Sequence, residues 1–455
     1  MAPPPTSTTA ENVFTSDQTA ISVLTGIYGK LSTDNSASFT SSAVTGISLY
    51  GGLSADELTL FNLSNTLLAP FYRNDIIVSG SGGLFWNSLY AMIFSCNSAI
   101  EGLNTSTGLT PAVKNQLLGE AKFMRAFGYF YLVNLYGDVP LNVSTDYKVN
   151  ALLPRVSKSL VYQQILLDLQ DAQGLLSPNY LQSDALTPYS LSQAERVRPT
   201  KWAASALLAR VLLYTGDYSG AEVAASSVID NSQLFELGTL STAFLKNTKE
   251  TIFSLQPVKT GTSSNTGDGA LFKLPTTGPS SIYPVYLSRD LVNAFEPGDQ
   301  RKSLWINFAT VGIDTFYYPF KYKIGKTNTL AGEYTILLRL AEQYLIRAEA
   351  RAQLNKLNEA VSDINVLRTR AVLPLLTVTN KDTLLTQIFQ ERRVELFTEW
   401  GHRWFDSKRT NRIDDIMTIA APAKGGVWAP YKSLYPIPVI DVSRNPNLIQ
   451  NPGYQ

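Results

Sequence analysis

Gln116 to Pro140 reads QLLGEAKFMRAFGYFYLVNLYGDVP. Phe123, Phe127 and Phe130 recur at helical spacing, as do Met124, Phe127 and Tyr131, so apolar groups occupy most of the circumference of the helix they predict. A helix that is hydrophobic nearly all round belongs inside a protein or inside a membrane. A span needs about 20 predominantly apolar residues. Here the uninterrupted part is bounded by Arg125 and Asp138 and contains Gly128 and Asn134. The expected structure is a buried central helix. Gly137 suits a left-handed C′ position, and Pro140 cannot continue the helix.

The flanking sequence is also helical. Asp17 to Leu31 places Ile21, Leu24, Ile27, Tyr28 and Leu31 on one face. Trp86 to Leu103, WNSLYAMIFSCNSAIEGL, repeats Trp86, Tyr90 and Ile93 at i, i+4, i+7. It predicts a helix antiparallel to the central one, with Trp86 as a packing residue. Ser159 to Leu176 carries Ile165, Leu166, Leu169 and Leu176, and a further helix runs from Pro199-Thr200 to Tyr214 with Thr200 as its N-cap. TKWAASALLARVLLYTGDYSGAEVAASSVID reads as a tetratricopeptide-type hairpin. Ala203, Ala206, Ala221 and Ala225 permit close approach, and Gly216-Asp217 makes the turn. Tyr334 to Arg370 reads as a second hairpin, with Ala341, Ala348 and Ala360 as its small contacts.

Two stretches lack this periodicity. Ser32 to Gly83 is rich in Ser, Thr, Gly and Asn, and a segment this long without helical pattern is more often functional than idle. It contains Asp56-Glu57, for which helix capping and ligand contact are both open readings. Phe235 to Gly332 offers one short strand, Thr251 to Gln256, and is otherwise dominated by Gly, Ser, Thr, Pro and Tyr. Tyr283, Tyr286, Trp305, Tyr317 and Tyr318 lie there outside any helical stripe. Some must anchor a local core; an exposed cluster of such rings marks a binding surface. The expected fold is mainly α: a tetratricopeptide-like helical scaffold with a large irregular insertion. Residues 1–455 form one domain, divided into a flexible tail (1–12), an N-terminal helical part (13–234), the loop-rich insertion (235–332) and a C-terminal hairpin with extended tail (333–455).

Composition narrows the chemistry. The 455 residues have a net charge of +1, so no broad attraction to nucleic acid or anionic lipid is expected. With one cysteine, Cys96, no internal disulfide can form, and with one histidine, His402, a zinc site of the usual composition is excluded. His402 sits in WGHRWFD without a nucleophile elbow and reads as packing at a helix end. Glycoside hydrolysis needs only two carboxylates. Glu391, Glu395 and Glu399 form a stripe, but Arg339, Arg347 and Arg351 form a complementary one, which favours structural ion pairing.

GEAKFMRAFGYFYLVNLYGDVPL closely resembles the signature helix of the SusD/RagB family, the surface glycan-binding lipoproteins of Bacteroidetes outer membranes. WNSLYAMIFSCNSAIEGL, LLRLAEQYLIRAEARAQL, QERRVELFTEWGHRWFDSKR and the terminal LYPIPVIDVSRNPNLIQNPGY resemble further family stretches in the family's order, and LSADEL resembles its Ser-Asp-Glu patch. The resemblance implies a non-catalytic cell-surface protein that captures an oligosaccharide or polysaccharide and delivers it to a SusC-like, TonB-dependent outer-membrane transporter. A sugar site of this kind needs no cofactor, and no metal-ligating residues are assigned. Family members mature at a lipidated N-terminal cysteine; Met1 to Ala10 has none, so the expectation is a start placed after it, with the anchor implied rather than seen. In such proteins the glycan lies between an N-terminal loop region and a mid-chain insertion, the places held here by Ser32 to Gly83 and Phe235 to Gly332. The candidate hydroxyl partners are Asp56, Glu57 and Arg73; the candidate stacking platforms are Tyr283, Tyr286, Trp305, Tyr317 and Tyr318. A tetratricopeptide protein-interaction scaffold and a helical glycoside hydrolase are the alternative readings.

Overall fold

The structure, a computed structural model, describes residues 13–33, 46–80, 83–258, 265–325 and 331–454. The N-terminal part runs α1 (Asp17–Thr33), α2 (Ile47–Ser54), β1 (Leu58–Leu60), α3 (Leu84–Thr105), α4 (Pro111–Tyr136), α5 (Lys158–Leu175), α6 (Lys201–Thr215) and α7 (Tyr218–Ile229). The insertion follows as β2 (Thr251–Leu255), β3 (Val285–Leu287), α8 (Gln300–Trp305), β4 (Ile306–Val311) and β5 (Asp314–Pro319). The rest is β6 (Thr335–Arg339), α9 (Leu340–Gln353), α10 (Leu357–Arg370), α11 (Lys381–Glu395), α12 (His402–Arg409), α13 (Ile413–Ala423) and α14 (Val439–Arg444), with shorter turns between. No helix among the described residues is long and apolar enough to cross a membrane.

The central stretch is α4, and it is buried. Phe123, Phe127, Tyr129, Phe130, Tyr131 and Tyr136 are all covered. α3 runs antiparallel to it: Trp86 stacks edge-on against Tyr136, Ile93 lies beside Gly128, and Asn97 meets Arg125. Gly128 lets the helices approach closely: a Cβ there would stand 2.7 Å from Met92 Cε and 3.1 Å from Ile93 Cγ1, so the Met92 tip would have to move. Arg125 is the buried cation of α4, and Asp168 of α5 takes it in a two-pronged pair at 2.6 and 2.8 Å. Gly137 ends the helix at φ 75°, but with ψ −129° rather than a left-handed helical value, because the chain leaves extended toward the Val139–Val156 bridge.

The two hairpins form as expected at their small residues. Ala203, Ala206, Ala221, Ala225, Ala341, Ala348 and Ala360 are all fully buried. Gly216 is left-handed at φ 80°, and Asp217 caps α7 by accepting from the Gly220 amide at 2.9 Å. The hairpins stack through α7 and α9, and Arg210 of α6 forks onto Glu342 of α9. Thr200 stands at the N-cap of α6, yet its hydroxyl makes no cap bond and has no partner.

Three segments depart from the sequence expectation. Ser32 to Gly83 holds α2, whose eight residues are all buried. Its glycines hid it from a periodicity reading, and packing explains them: a Cβ on Gly51 would lie 2.9 Å from the Cα of Gly401. The start of the second hairpin is a strand, β6, paired antiparallel with β2. The C-terminal strip is not wholly extended; Pro438 opens α14, consistent with a proline tolerated at a helix start.

Phe127→Ala and Phe130→Ala should each cost about 3–5 kcal/mol, measured by denaturant unfolding. Phe94→Ala, on the exposed face of α3, should stay within about 0.5 kcal/mol. Equal midpoints for all three would show α4 to be misplaced.

Candidate functional site

The two aperiodic stretches meet. β1 pairs antiparallel with β3, Thr59 opposite Tyr286, and the β4–β5 hairpin packs against β3. Ser288 ties the join further: its hydroxyl donates to the Asp56 carbonyl at 2.6 Å and its amide to the Glu57 carbonyl at 2.9 Å. Side chains alternate across the hairpin. Ala309, Phe316 and Tyr318 share one face, over a small cluster with Leu274, Tyr283 and Tyr286. Phe308 and Tyr317 sit opposite each other on the other face, ring centroids 6.1 Å apart.

At the edge of the first face Phe61 reaches across from beyond β1. Its ring lies 6.2 Å from that of Phe316, which in turn lies 5.1 Å from Tyr286. Phe61 and Phe308 are 47% and 57% exposed, so this junction presents aromatic rings to solvent on both faces of the hairpin. Neither phenylalanine was among the expected platforms. Their signal was present, since both are aromatic residues outside any helical stripe, as the tyrosines are.

The candidate platforms divide. Tyr283, Tyr286 and Tyr317 are half-buried at the junction. Tyr318 is buried beneath the hairpin. Trp305 is not a platform: it is fully buried, its indole N–H donates to the Leu240 carbonyl at 2.7 Å, and Phe244 meets its ring edge-on at 5.4 Å. It is the anchor of α8, placed inside because its indole finds an acceptor there.

The candidate polar partners divide as well. Arg73 is half-buried and donates to the Leu63 carbonyl at 3.4 Å, a single long bond for a group with five N–H donors. Asp56 follows α2 rather than capping a helix. Both its oxygens are held by Arg403 at 2.7 Å, and Arg393 adds a contact at 3.0 Å. Burial raises its pKa, and the hydrogen bonds and charges of these arginines outweigh that, leaving it at about 2. Glu57 is wholly buried under the Thr398 amide. Burial, and then the charge of Asp56, push it up to about 8. Both carboxylates are engaged within the protein and fasten the N-terminal loop to the α11–α12 corner.

The acidic stripe, Glu391 and Glu395 on α11 and Glu399 in the turn after it, is also fully engaged. Glu391, Glu395 and Glu399 are buried against Arg301, Arg339, Arg368, Arg370 and Lys321. The matching arginine stripe is only partly as expected. Arg339 meets the glutamates, whereas Arg347 and Arg351 pair with Asp363, and Arg351 also with Glu222. His402 is buried, and burial pushes its pKa down to about 4, so it is neutral at physiological pH. Cys96 is buried with its thiol pushed up to about 12. Among the described residues no group of three or more His, Cys, Asp or Glu side chains could hold a metal ion.

Residues 306–454 match the SusD family model, and residues 57–213 match one described as starch-binding associating with outer membrane. Over these two stretches, together about two thirds of the chain, the protein is similar to the SusD/RagB family. A SusD-like protein of Formosa agariphila is 27% identical over 434 residues, which span 82% of this chain and 80% of that one. A SusD superfamily protein from Bacteroides vulgatus superposes with a TM-score of 0.81 at 20% identity, over 96% of this chain and 99% of its own. Surface glycan-binding protein A from Bacteroides fluxus does so with a TM-score of 0.79 at 23% identity, over 96% and 99%. These likenesses establish the SusD fold, a mainly helical scaffold carrying tetratricopeptide-like hairpins.

Two outcomes follow from the buried groups. Trp305→Ala should cost about 3–5 kcal/mol, while Phe61→Ala leaves the unfolding midpoint nearly unchanged. Between its usual 4.5 and about 8, Glu57 keeps a proton in the native state that the unfolded chain releases. Stability should therefore fall as pH rises through that window, by up to about 1.4 kcal/mol per pH unit from this group. Glu57→Gln should flatten the slope, and denaturation across a pH series measures it; an unaltered slope would mean Glu57 is ionised when folded.

Proposed function

We propose that this protein is a non-catalytic cell-surface receptor that captures an oligosaccharide or polysaccharide and hands it to a TonB-dependent outer-membrane transporter. The observation that carries the reading is the junction itself. Phe61 from the N-terminal stretch, and Tyr286 and Phe316 from the insertion, gather at one partly exposed edge. Sugars offer apolar C–H faces to such rings and hydroxyls to nearby donors. Arg73, with most of its donors uncommitted, is the polar candidate on this side; Tyr283 lies in the cluster beneath, and Tyr317 with Phe308 forms the platform on the other face.

The engagement of the carboxylates supports binding over hydrolysis. A glycosidase needs one acid free to protonate the leaving group and a second carboxylate about 5–10 Å away. Asp56 is clamped by two arginines, Glu57 is covered, and the α11 stripe is locked in ion pairs. The family description of starch binding at the outer membrane, and the glycan-binding name of the Bacteroides fluxus neighbour, support both ligand class and location. Transporter delivery and a lipid anchor rest on the similarity to that family alone.

Isothermal titration against a panel of neutral oligosaccharides, with products followed by chromatography, tests the reading. Binding without cleavage is expected. Phe61→Ala, Tyr286→Ala and Phe308→Ala should each weaken it, by about 1–3 kcal/mol for a ring in contact, by analogy with base stacking. Cleavage products would make the protein a hydrolase. Full affinity in all three variants would place the site elsewhere.

A further inference from the structure

A cleft of about 540 Å³ opens between the second half of α1, the chain ahead of α6 and the residues that follow β2. It shares no lining residue with the β1–β3 junction. Tyr28, Gln182, Ser183, Tyr189, Glu195 and Arg198 contribute to its wall. Arg198 is 8% exposed and is held from behind. Its Nη1 alone meets Glu120, donating to Oε1 at 2.6 Å and to Oε2 at 2.7 Å. Glu120 is wholly buried on α4 and is fixed in turn: the Tyr28 hydroxyl donates to it at 2.8 Å and the Gln116 amide at 2.9 Å. The other edge of the guanidinium, Nε with Nη2, has no acceptor among the described residues. These two nitrogens are open to solvent, unlike the sealed, unpaired nitrogens of Arg196, Arg370 and Arg392.

Elsewhere in this protein that edge is filled. Arg125, Arg210, Arg339 and Arg403 each give Nε and Nη2 to the two oxygens of one carboxylate. The pair is a planar fork whose spacing matches a carboxylate's two oxygens, so it takes both at once. Charge around the cleft is balanced, because Arg198 faces Glu120 and Glu195 is paired with Lys246 at 3.2 Å. Asp184, next to Ser183 in the chain, is exposed and accepts from the Thr187 hydroxyl. No broad field draws an anion in, so recognition depends on the fork and the affinity is modest. The volume lies within the range of ligand clefts and exceeds what a bare carboxylate fills. Gln182 and Ser183, both exposed, and the rings of Tyr28 and Tyr189 offer partners to hydroxyls and C–H groups. We propose that this cleft binds a sugar acid, its carboxylate held by Nε and Nη2 of Arg198. The assignment is independent of the ligand at the β1–β3 junction.

Saturation-transfer NMR on the full chain tests this, with glucuronate, galacturonate, acetate and glucose each titrated to about 50 mM, a range suited to millimolar affinity. Ionic strength is held constant, since salt screens charged ligands. At least one uronate should bind saturably, with acetate and glucose each at least about tenfold weaker, or 1.4 kcal/mol. Acetate leaves most of the cleft empty, and glucose has no group for the fork. The uronate constant should rise at least about tenfold in Arg198→Lys, which keeps the charge and loses the fork. It should rise as much in Ser183→Trp, which narrows the cleft from an exposed position, and stay unchanged in Phe61→Ala. Ser183→Trp keeps the test valid if Arg198→Lys misfolds. Absence of saturable uronate binding overturns the proposal, as does equal binding of glucose or acetate. So does an unchanged constant in either folded cleft variant, or a uronate signal lost in Phe61→Ala.

Discussion

Glu395 accepts from three arginines drawn from three parts of the chain: Arg301 of α8, Arg339 at the end of β6, and Arg370 at the end of α10. All four side chains are buried. Burial pushes the Glu395 carboxyl up, and the three guanidinium charges pull it well below the usual carboxylate range. Glu250, Asp299, Glu391 and Glu399 extend the cluster, and Lys321 brings in the segment just after the hairpin by donating to the carbonyls of Glu395 and Phe397. Ions taken from water at this depth persist only when each is matched in charge and hydrogen bonding. The match here needs the insertion, both halves of the second hairpin and α11 to be in place together.

That requirement fixes the insertion on the scaffold. The insertion seats apolar anchors of its own in the main core, among them Phe272, Leu291 and Phe295, and the ion network adds fixed points to them, one of these on α8, which is only six residues long. The network fastens it at Asp299, Arg301 and Lys321, and Trp305 seats beneath. The N-terminal loop is fastened to the same corner by Asp56 through Arg393 and Arg403. Both halves of the aromatic junction therefore hang from the α11–α12 region. Rings held this way are ordered in advance, and at the proposed site such order lowers the entropy lost on binding.

The aromatic residues serve two ends. On α4 they fill the core, where Phe127 meets Trp400 and Tyr131, and Phe130 meets Tyr214. At the junction the alternation of strand side chains places Phe316 and Tyr318 under the hairpin while Phe308 stays in solvent. A residue of the same type is thus core or surface according to its register against a partner strand.

The helical scaffold was legible because burial of a helix repeats every three or four residues and leaves its mark locally. The aromatic circumference of α4, the alanines of the hairpins and the Gly216-Asp217 turn all state their role within a window of a few residues. That two aperiodic stretches stand apart from the helical hairpins was legible for the same reason, by default. The hairpin left a weaker trace, alternation around Gly312 in INFATVGIDTFYYP, with Gly312 at φ 63°. What tertiary structure alone decided is which side chains in those stretches face outward. Trp305 is core because an acceptor 65 positions away, Leu240, meets its indole, and Asp56 is an ion-pair partner because Arg393 and Arg403 lie 337 and 347 positions on. Loop residues have no period to declare their face, so only contacts made across the fold determine whether they pack, pair or bind.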